Sequence, residues 1–396
     1  MMTRNAGDLD PQGAPGEEML RSALKEHRAG LARLLELRDY MERRHRIDGR
    51  VRRRGVPNNR LSHDLPGYIT QTAAGYLLGA PVRYDGDQPA LPALRAALAA
   101  ADAESEDCEL AVDASAYGRA VELVFADEQA HPRVAQCDPL RCFVVYAADA
   151  LHQPLFGVAT GATRDACGKP TGVFATVYTS TEVIRWRGRT ETALAQVGRE
   201  RHFFGGVPMV EFWNNPQETG DFEGVLPLID AYDALQSDRV NDKQQFTDAI
   251  LVLYGVAGLA EEDGRGANER LREEKTLCMP DGDARVEFLT KQLSESDTEV
   301  LKNSLRADIH KLCFIPDLTD ERFGGNESGV AMRYKLFGLE QLTRLKERWF
   351  REGLRQRLRL FGYYLALRGG QALDANAVEI AFPRTPLWRL EGGEAQ

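Results

Sequence analysis

The chain has 396 residues, 43% hydrophobic and 28% charged, so it is long enough for two or three packed units of ordinary globular composition. Its net charge of −10 argues against a protein that coats nucleic acid over its whole surface. It holds no run of about 18 apolar residues and no apolar N-terminal signal, so we expect cytoplasmic synthesis and no membrane association.

The six cysteines predict free thiols. None forms a C-x-x-C pair. Only Cys137 and Cys142 lie close together in sequence, and no histidine stands beside them at the spacing of a zinc ligand. We therefore predict no cofactor and no metal.

The first part of the chain is predicted to be helical. Residues 1–16 are rich in Gly, Pro and Asp, and they predict a disordered arm. From Glu17 to about Arg44, apolar residues recur at three-, four- and seven-residue steps, which predicts an amphipathic helix. A second helix is predicted after the turn at 57–59, and residues 90–120 are rich in Ala and Leu, which favours further helix.

An arginine-rich stretch separates the first two predicted helices. It contains one acid, Asp48, and seven basic residues: Arg43, Arg44, Arg46, Arg50, Arg52, Arg53 and Arg54. A run of this kind is usually a solvated face or a contact between subunits, so we interpret it in that way and not as a reader of DNA sequence.

The pattern changes to that of strands between residues 121 and 213. Short runs rich in Val, Phe and Tyr, separated by turn residues, predict an antiparallel sheet region. The runs lie at 121–125, 142–146, 155–160, 173–178, 183–186 and 207–213.

The remaining sequence is mostly helical, and the fold class is therefore α+β. A helix at 227–248 begins with Pro227 in its first turn, where the missing N–H does no harm. Strands at 250–254 and 285–289, a helix at 294–313, a Gly-rich loop at 323–329, a long helix at 330–367 and a strand at 377–382 follow.

We find no convincing catalytic constellation in the sequence. The nearest approach to a phosphate-binding loop has the wrong glycine spacing, and Pro170 stands where Ser or Thr must bind magnesium. The seven histidines are isolated, and Asp281-Gly282-Asp283 lacks the other ligands of a calcium loop. Acidic residues of the helix at 227–248 could build a metal-dependent nuclease site, but they are spread around the helix. We predict that the protein is not an enzyme, with such a nuclease as the alternative.

Five segments between residues 57 and 350 resemble, in the same order, the portal proteins of tailed double-stranded DNA bacteriophages of the Gram-positive siphophage type. They are Pro57–Arg60 with Gly75–Tyr84, Val207–Asn215, Leu228–Asp233 with Ser237-Asp238 and Asn241-Asp242, Ala249–Gly255, and Phe323–Lys335 with Leu339-Glu340 and Lys346–Arg348. Each segment alone is a weak signal, but their shared order is specific.

The resemblance implies the portal fold, with a wing of helices and antiparallel sheet, a two-helix stem, a small α/β clip, a tunnel loop and a long kinked helix. The implied parts are a wing at 17–226 (helical at 17–120 and β-rich at 121–213), stem helices at 227–248 and 293–315, a clip at 249–292, a tunnel-loop region at 316–329, the long helix at 330–367, and a C-terminal wing strand and tail at 368–396. Family members usually continue into a crown, which is expected to be short or absent here.

The resemblance also implies a ring subunit at one capsid vertex that forms the channel for DNA packaging and ejection. The expected partners are copies of itself in a dodecamer, double-stranded DNA without sequence specificity, the terminase large subunit, the head-completion adaptor, and scaffolding and major capsid proteins. The protein is expected in the host cytoplasm during assembly and then in the virion. A phage-assembly adaptor that forms no ring is a further alternative.

Three sets of site residues follow from the resemblance. A mobile loop that lines the channel is expected, because its glycines tolerate unusual backbone angles. Its residues are Phe323, Gly324, Gly325, Asn326, Glu327, Ser328 and Gly329. An acidic stem face that repels phosphate, so that the duplex slides, is expected at Asp230, Asp233, Asp238 and Asp242. Pairing with acidic groups across subunit interfaces is expected for Arg43, Arg44, Arg351 and Arg355.

Overall fold

The computed structural model describes residues 1–54, 56–246, 250–254, 276–279, 285–289, 295–317 and 329–383. The fold in this part of the chain is mixed α+β. Two compact units are present: unit 1 comprises residues 1–42, 64–224 and 311–396, and unit 2 comprises residues 43–63 and 225–310.

The described helices follow the predicted order, although several begin or end elsewhere. They are α1 (Glu17–Met41), α2 (Leu65–Leu78), α3 (Leu91–Ala100), α4 (Ala103–Tyr117), α5 (Leu226–Phe246), α6 (Glu295–Leu312) and α7 (Gly329–Leu367). The start of α2 is fixed by Asp64, whose carboxylate accepts a hydrogen bond from the Gly67 N–H, and by Pro66 in the first turn. The stretch 90–120, predicted as one helical region, is divided at Asp102, which has a left-handed backbone with φ of 53°.

The described strands include all of those predicted from the sequence. They are β1 (Met2–Arg4), β2 (Arg83–Asp85), β3 (Arg119–Ala126), β4 (Pro132–Cys137), β5 (Cys142–Ala147), β6 (Pro154–Arg164), β7 (Pro170–Tyr178), β8 (Glu182–Gly188), β9 (Ala195–Arg201), β10 (Met209–Trp213), β11 (Ile250–Tyr254), β12 (Thr276–Met279), β13 (Arg285–Leu289) and β14 (Glu379–Ala381).

Unit 1 contains three of the sheets. The largest has the order β1-β5-β6-β7-β8-β9, in which β1 runs parallel to β5 and every other neighbour is antiparallel. A second sheet has the order β10-β3-β4, and β14 pairs with β2. Helix α1 covers part of the largest sheet, where Leu20 and Leu24 join a core with Phe143, Phe156 and other buried apolar residues.

The N-terminal residues correct the prediction of a disordered arm at 1–16. Met2 is buried and pairs with Val145 in the parallel register of β1 and β5. The Asp10 carboxylate accepts hydrogen bonds from the backbone N–H groups of Gln12 and Ala14 at 2.9 and 2.7 Å. Backbone pairing and one turn order this segment. Neither requires a periodic pattern of apolar residues, so the composition of the segment gave no sign of them.

Helix α7 packs one apolar face into the main core of unit 1. Phe350, Leu354, Leu358 and Phe361 are all at most 1% exposed. The Phe350 ring lies 4.8 Å from that of Phe212 on β10, measured between centroids. Burial of large side chains at this spacing fixes the position of the helix.

Unit 2 combines α5 with a small sheet. Strand β11 is parallel to β12 and antiparallel to β13, with Val252 opposite both Leu277 and Glu287. The predicted strands at 250–254 and 285–289 are confirmed, and β12 follows the predicted charged loop at 261–275, which lies outside the described residues.

Candidate functional site

The predicted tunnel-loop residues 323–328 lie outside the described residues, and Gly329 is the first residue of α7. The predicted site residues that the structure describes belong to α5, to the segment 43–63 and to α7. Unit 2 brings together the residues of α5 and those of the segment 43–63.

A buried carboxylate connects α5 to the segment 43–63. Asp233 is fully buried, and its Oδ2 lies 2.5 Å from Nδ1 of His45. Its Oδ1 lies 2.7 Å from Nδ1 of His63 and accepts a hydrogen bond from the His63 backbone N–H at 2.9 Å. Burial alone would raise the pKa of Asp233, but these hydrogen bonds outweigh burial and hold the pKa below its ordinary value.

Arginines of the same segment pair with two further carboxylates of α5. Nη1 of Arg46 lies 3.2 Å from Oδ2 of Asp230. Nη1 of Arg50 lies 2.8 Å from Oδ1 of Asp238, which Arg52 also contacts. The side chains of Asp230 and Asp238 remain 22% and 47% exposed. Ion pairs with this exposure are weak, so they position the segment more than they stabilise it.

Uncharged hydrogen bonds complete this contact. The buried Ser237 hydroxyl accepts from the Leu61 N–H at 2.9 Å, and Asn241 Oδ1 accepts from the Asn59 backbone and side-chain N–H groups at 2.7 and 2.8 Å. Cationic or imidazole groups of the same chain therefore engage Asp230, Asp233 and Asp238. Asp242 is half-buried. Their expected role toward DNA stays a prediction.

Helix α7 contains a buried charge cluster. Arg357 is fully buried, and its Nε and Nη2 donate to the Glu122 carboxylate at 2.9 and 2.6 Å. Its Nη1 lies 2.6 Å from Oδ1 of Asp107 on α4. Burial raises the pKa values of Glu122 and Asp107 even though the guanidinium opposes the shift.

Arg357 was not among the predicted site residues, although the sequence pattern around it indicates a buried charge. Positions 350, 354, 357, 358 and 361 fall on one face at helical spacing, and 357 is the charged position among four large apolar ones. A charge in the middle of an apolar stripe indicates a buried ion pair, because an unpaired charge there would be too costly.

The four predicted inter-subunit arginines lie in different environments. Arg43 and Arg44 are exposed just after α1. Arg351 is half-buried, with its guanidinium carbon 5.3 Å from the centroid of the Phe382 ring. Arg355 is also half-buried. Arg351 therefore has a packing role within its own subunit, and its part in an interface stays a prediction.

In the parts of the chain that the structure describes, no group of three or more His, Cys, Asp or Glu side chains is arranged to hold a metal ion. None of the described helices combines the length and the apolar character that crossing a bilayer requires.

A family model matches most of the chain. Residues 21–385 match the model described as phage portal protein, SPP1 Gp6-like. The portal protein of Bacillus phage SPP1 is 23% identical over 342 residues, which cover 83% of this chain and 67% of that protein. The portal protein of Clostridium phage phiCD119 is 25% identical over 168 residues, 42% of this chain and 37% of that protein.

Solved structures with a similar chain come from gene transfer agent particles. A chain of the virion of a native particle gives a TM-score of 0.39 at 16% identity, with 80% of this chain and 79% of that chain covered. A chain of the neck of an empty particle gives a TM-score of 0.42 at 15% identity, with 81% and 80% covered.

Proposed function

The chain belongs to the SPP1 Gp6-like family of phage portal proteins, and we propose that it forms the ring at one capsid vertex through which double-stranded DNA is packaged and ejected. The observation that carries this proposal is the match of the family model over residues 21–385. The family is structural and not enzymatic, it implies a homo-oligomeric ring, and the protein is a component of the virion.

We assign the stem and clip to unit 2 and the wing to unit 1. The division of the chain into two compact units supports this assignment, because α5, the sheet of β11–β13 and most of α6 belong to unit 2. Unit 2 also contains residues 43–63, which the resemblance assigned to the wing. The tunnel loop is assigned to residues 316–329, and α7 is assigned to the long helix of tunnel and wing.

We propose that the channel-facing surface of the stem is mixed in sign. The segment 43–63 carries eight arginines against one acid, and it lies directly on the carboxylates of α5. A surface on which cations and carboxylates alternate neither holds phosphate tightly nor repels it strongly. This property suits a conduit through which a duplex must slide.

The remaining partners are proposed from family membership. The ring is expected to be a dodecamer that docks the terminase large subunit during packaging and the head-completion adaptor afterwards. It would contact scaffolding and major capsid proteins at the vertex after synthesis in the host cytoplasm.

Negative-stain imaging and native mass measurement of the purified chain test the proposal. We expect annular particles of one defined stoichiometry with a channel wide enough for duplex DNA. A monomer or dimer at every concentration would favour the adaptor alternative. Plasmid cleavage that depends on a divalent metal would favour the nuclease alternative.

DNA binding by the rings tests the mixed-sign surface. We expect weak binding that is independent of sequence, with a shallow dependence of log K on log salt that corresponds to only a few phosphate contacts. A steep slope, or discrimination between duplexes of different sequence, would contradict the proposed sliding surface.

A further inference from the structure

The β6–β7 hairpin extends beyond the core of its sheet. Buried core residues of these strands end at Val158 and Ala175, and no residue from 159 to 174 is buried. Neighbouring residues of a strand point to opposite faces, and every residue from 164 to 171 is exposed, so both faces of the outer end of the hairpin are open. An antiparallel sheet normally packs one of its faces against a core. The outer end of this hairpin therefore lacks a packing partner in the monomer.

The tip of this hairpin is basic. Gly188 on β8 pairs with Val173 on β7, which places the β8–β9 turn at the same end of the sheet. We define the arm tip by the exposed basic residues Arg164, Lys169, Arg187 and Arg189. None of them makes an ion pair within the described residues, and the nearby Asp165 accepts hydrogen bonds from backbone N–H groups of its own turn.

Helix α4 carries the opposite charge on its exposed side. Its sequence, Ala103–Tyr117, contains five acidic residues and no basic one. We define the α4 acidic face by Asp102, Glu104 and Glu109, which are exposed and have no ion-pair partner in the part of the chain described. Asp107, in contrast, is buried against Arg357.

We propose that the arm tip of one subunit docks on the α4 acidic face of the next subunit in the ring. The inference rests on the proposed function, because a ring of identical subunits needs two different and complementary surfaces on each copy. Both surfaces lie in unit 1, and each supplies the charge that the other lacks. Complementary charge at such an interface directs subunit encounter and fixes the register of docking.

A second copy of this chain explains both surfaces at once. Duplex DNA could also bind the basic arm tip, but it would leave the α4 acidic face without a partner. An interface between copies also gives the two-sided hairpin the packing surface that it lacks.

Two native cysteines allow a direct test, since one lies on each surface. Cys167 is exposed in the turn of the arm tip, and Cys108 is exposed between Glu104 and Glu109. A short bismaleimide links two thiols, because each thiol adds across one of its two C=C bonds and no group leaves. In assembled rings we expect a ladder of covalent dimers, trimers and larger species that disappears in both Cys108→Ser and Cys167→Ser.

Charge reversal provides a second measurement with matched controls. Arg189→Glu and Glu109→Lys should each lower the fraction of ring at moderate salt by about tenfold, and the double variant should recover most of it. Lys25→Glu and Glu18→Lys change the net charge equally at exposed positions of α1 and should assemble as wild type.

The outcomes separate this inference from the proposed function. Rings that form but give no ladder, or that assemble equally well with Arg189→Glu, overturn the docking proposal and leave the portal assignment intact. Weaker duplex binding by Arg189→Glu with unchanged assembly would assign the arm tip to DNA instead. A wild-type chain that never forms rings would overturn both.

Discussion

Buried carboxylates in the two units respond to their surroundings in opposite ways. In unit 1, burial dominates: it raises the pKa of Glu122 and Asp107, and it raises the pKa of Asp113 to about 7. In unit 2, the hydrogen bonds from His45 and His63 dominate and lower the pKa of Asp233. Burial alone therefore does not decide how an acid affects stability, because the direction of the pKa shift depends on the balance between burial and the hydrogen bonds that the carboxylate accepts.

The two directions give opposite dependences on pH. An acid with a raised pKa stabilises the fold at low pH, and its contribution is lost as pH rises through the folded-state value. An acid with a lowered pKa contributes stability above its ordinary value, and this is lost as pH falls through the folded-state value. Unit 1 should thus weaken toward alkaline pH and unit 2 toward acid pH.

The largest effect is expected for Arg357→Ala. The substitution leaves Glu122 and Asp107 buried without their cation, which should cost about 3–5 kcal/mol of unfolding free energy. Denaturant unfolding measures this loss. The exposed Arg359, which hydrogen-bonds Asn376, provides the control, and Arg359→Ala should change stability by less than about 0.5 kcal/mol. Similar losses for both variants would contradict a buried cluster.

Asp113→Asn should remove much of the pH dependence of unit 1. The wild-type carboxyl binds a proton in the folded state up to about pH 7 but releases it near 3.8 when unfolded, so its ionisation costs stability as pH rises. The variant should gain roughly 2–4 kcal/mol at pH 8 and little at pH 4. Neutralising the exposed Glu18 with Gln should give no such gradient. A gain for Asp113→Asn that does not vary with pH would exclude this explanation.

Asp233→Asn should act in the opposite sense and in unit 2. It replaces a carboxylate that binds two imidazoles and a backbone N–H, with an expected loss of about 2 kcal/mol at neutral pH that shrinks as pH falls. Thermal unfolding at several pH values measures the loss. Asp308→Asn, at an exposed position of α6, is the matched control, and an equal loss in that variant would contradict a specific role for Asp233.

The smallest effect is expected for the exposed ion pairs. Arg52→Gln should cost at most about 0.5 kcal/mol at low salt and nothing measurable at high salt, because its partner Asp238 is 47% exposed. Arg54→Gln provides a comparison at an exposed arginine for which no ion pair is found in the described residues. A large loss of unfolding free energy for Arg52→Gln that persists in high salt would contradict the assignment of this ion pair to a solvent-exposed site.

Periodicity predicted most elements of unit 1 but not their polar contacts. The long helix was found because α7 repeats apolar residues at helical spacing, and strands such as β5 were found because they are short continuous runs of apolar and β-branched residues. Strand β9 was missed, since its sequence, AQVGRER, is exposed along almost its whole length and shows no apolar alternation.

The contacts of the α5 carboxylates with the segment 43–63 were not predictable from one sequence. Asp233 and His45 are 188 residues apart, and an isolated histidine gives no sign of its partner. The carboxylates of α5 were predicted to form an acidic stem face, because the arginines that pair with them belong to a distant segment. Local patterns contain no information about such contacts. The burial of Arg357, in contrast, could have been predicted from its charge within an apolar stripe, although it was not.

Hydrogen exchange at about pH 3 and at pH 8, resolved by peptide and corrected for intrinsic rates, tests the opposition between the units most directly. The ordinary pKa of Asp233 is 3.8 and its folded-state pKa is lower, so amides of α5 should lose protection only at the acid end, near pH 3. Amides of α4 and β3, which carry Asp113 and Glu122, should lose protection at pH 8. Loss of protection in both units at the same pH would contradict the account.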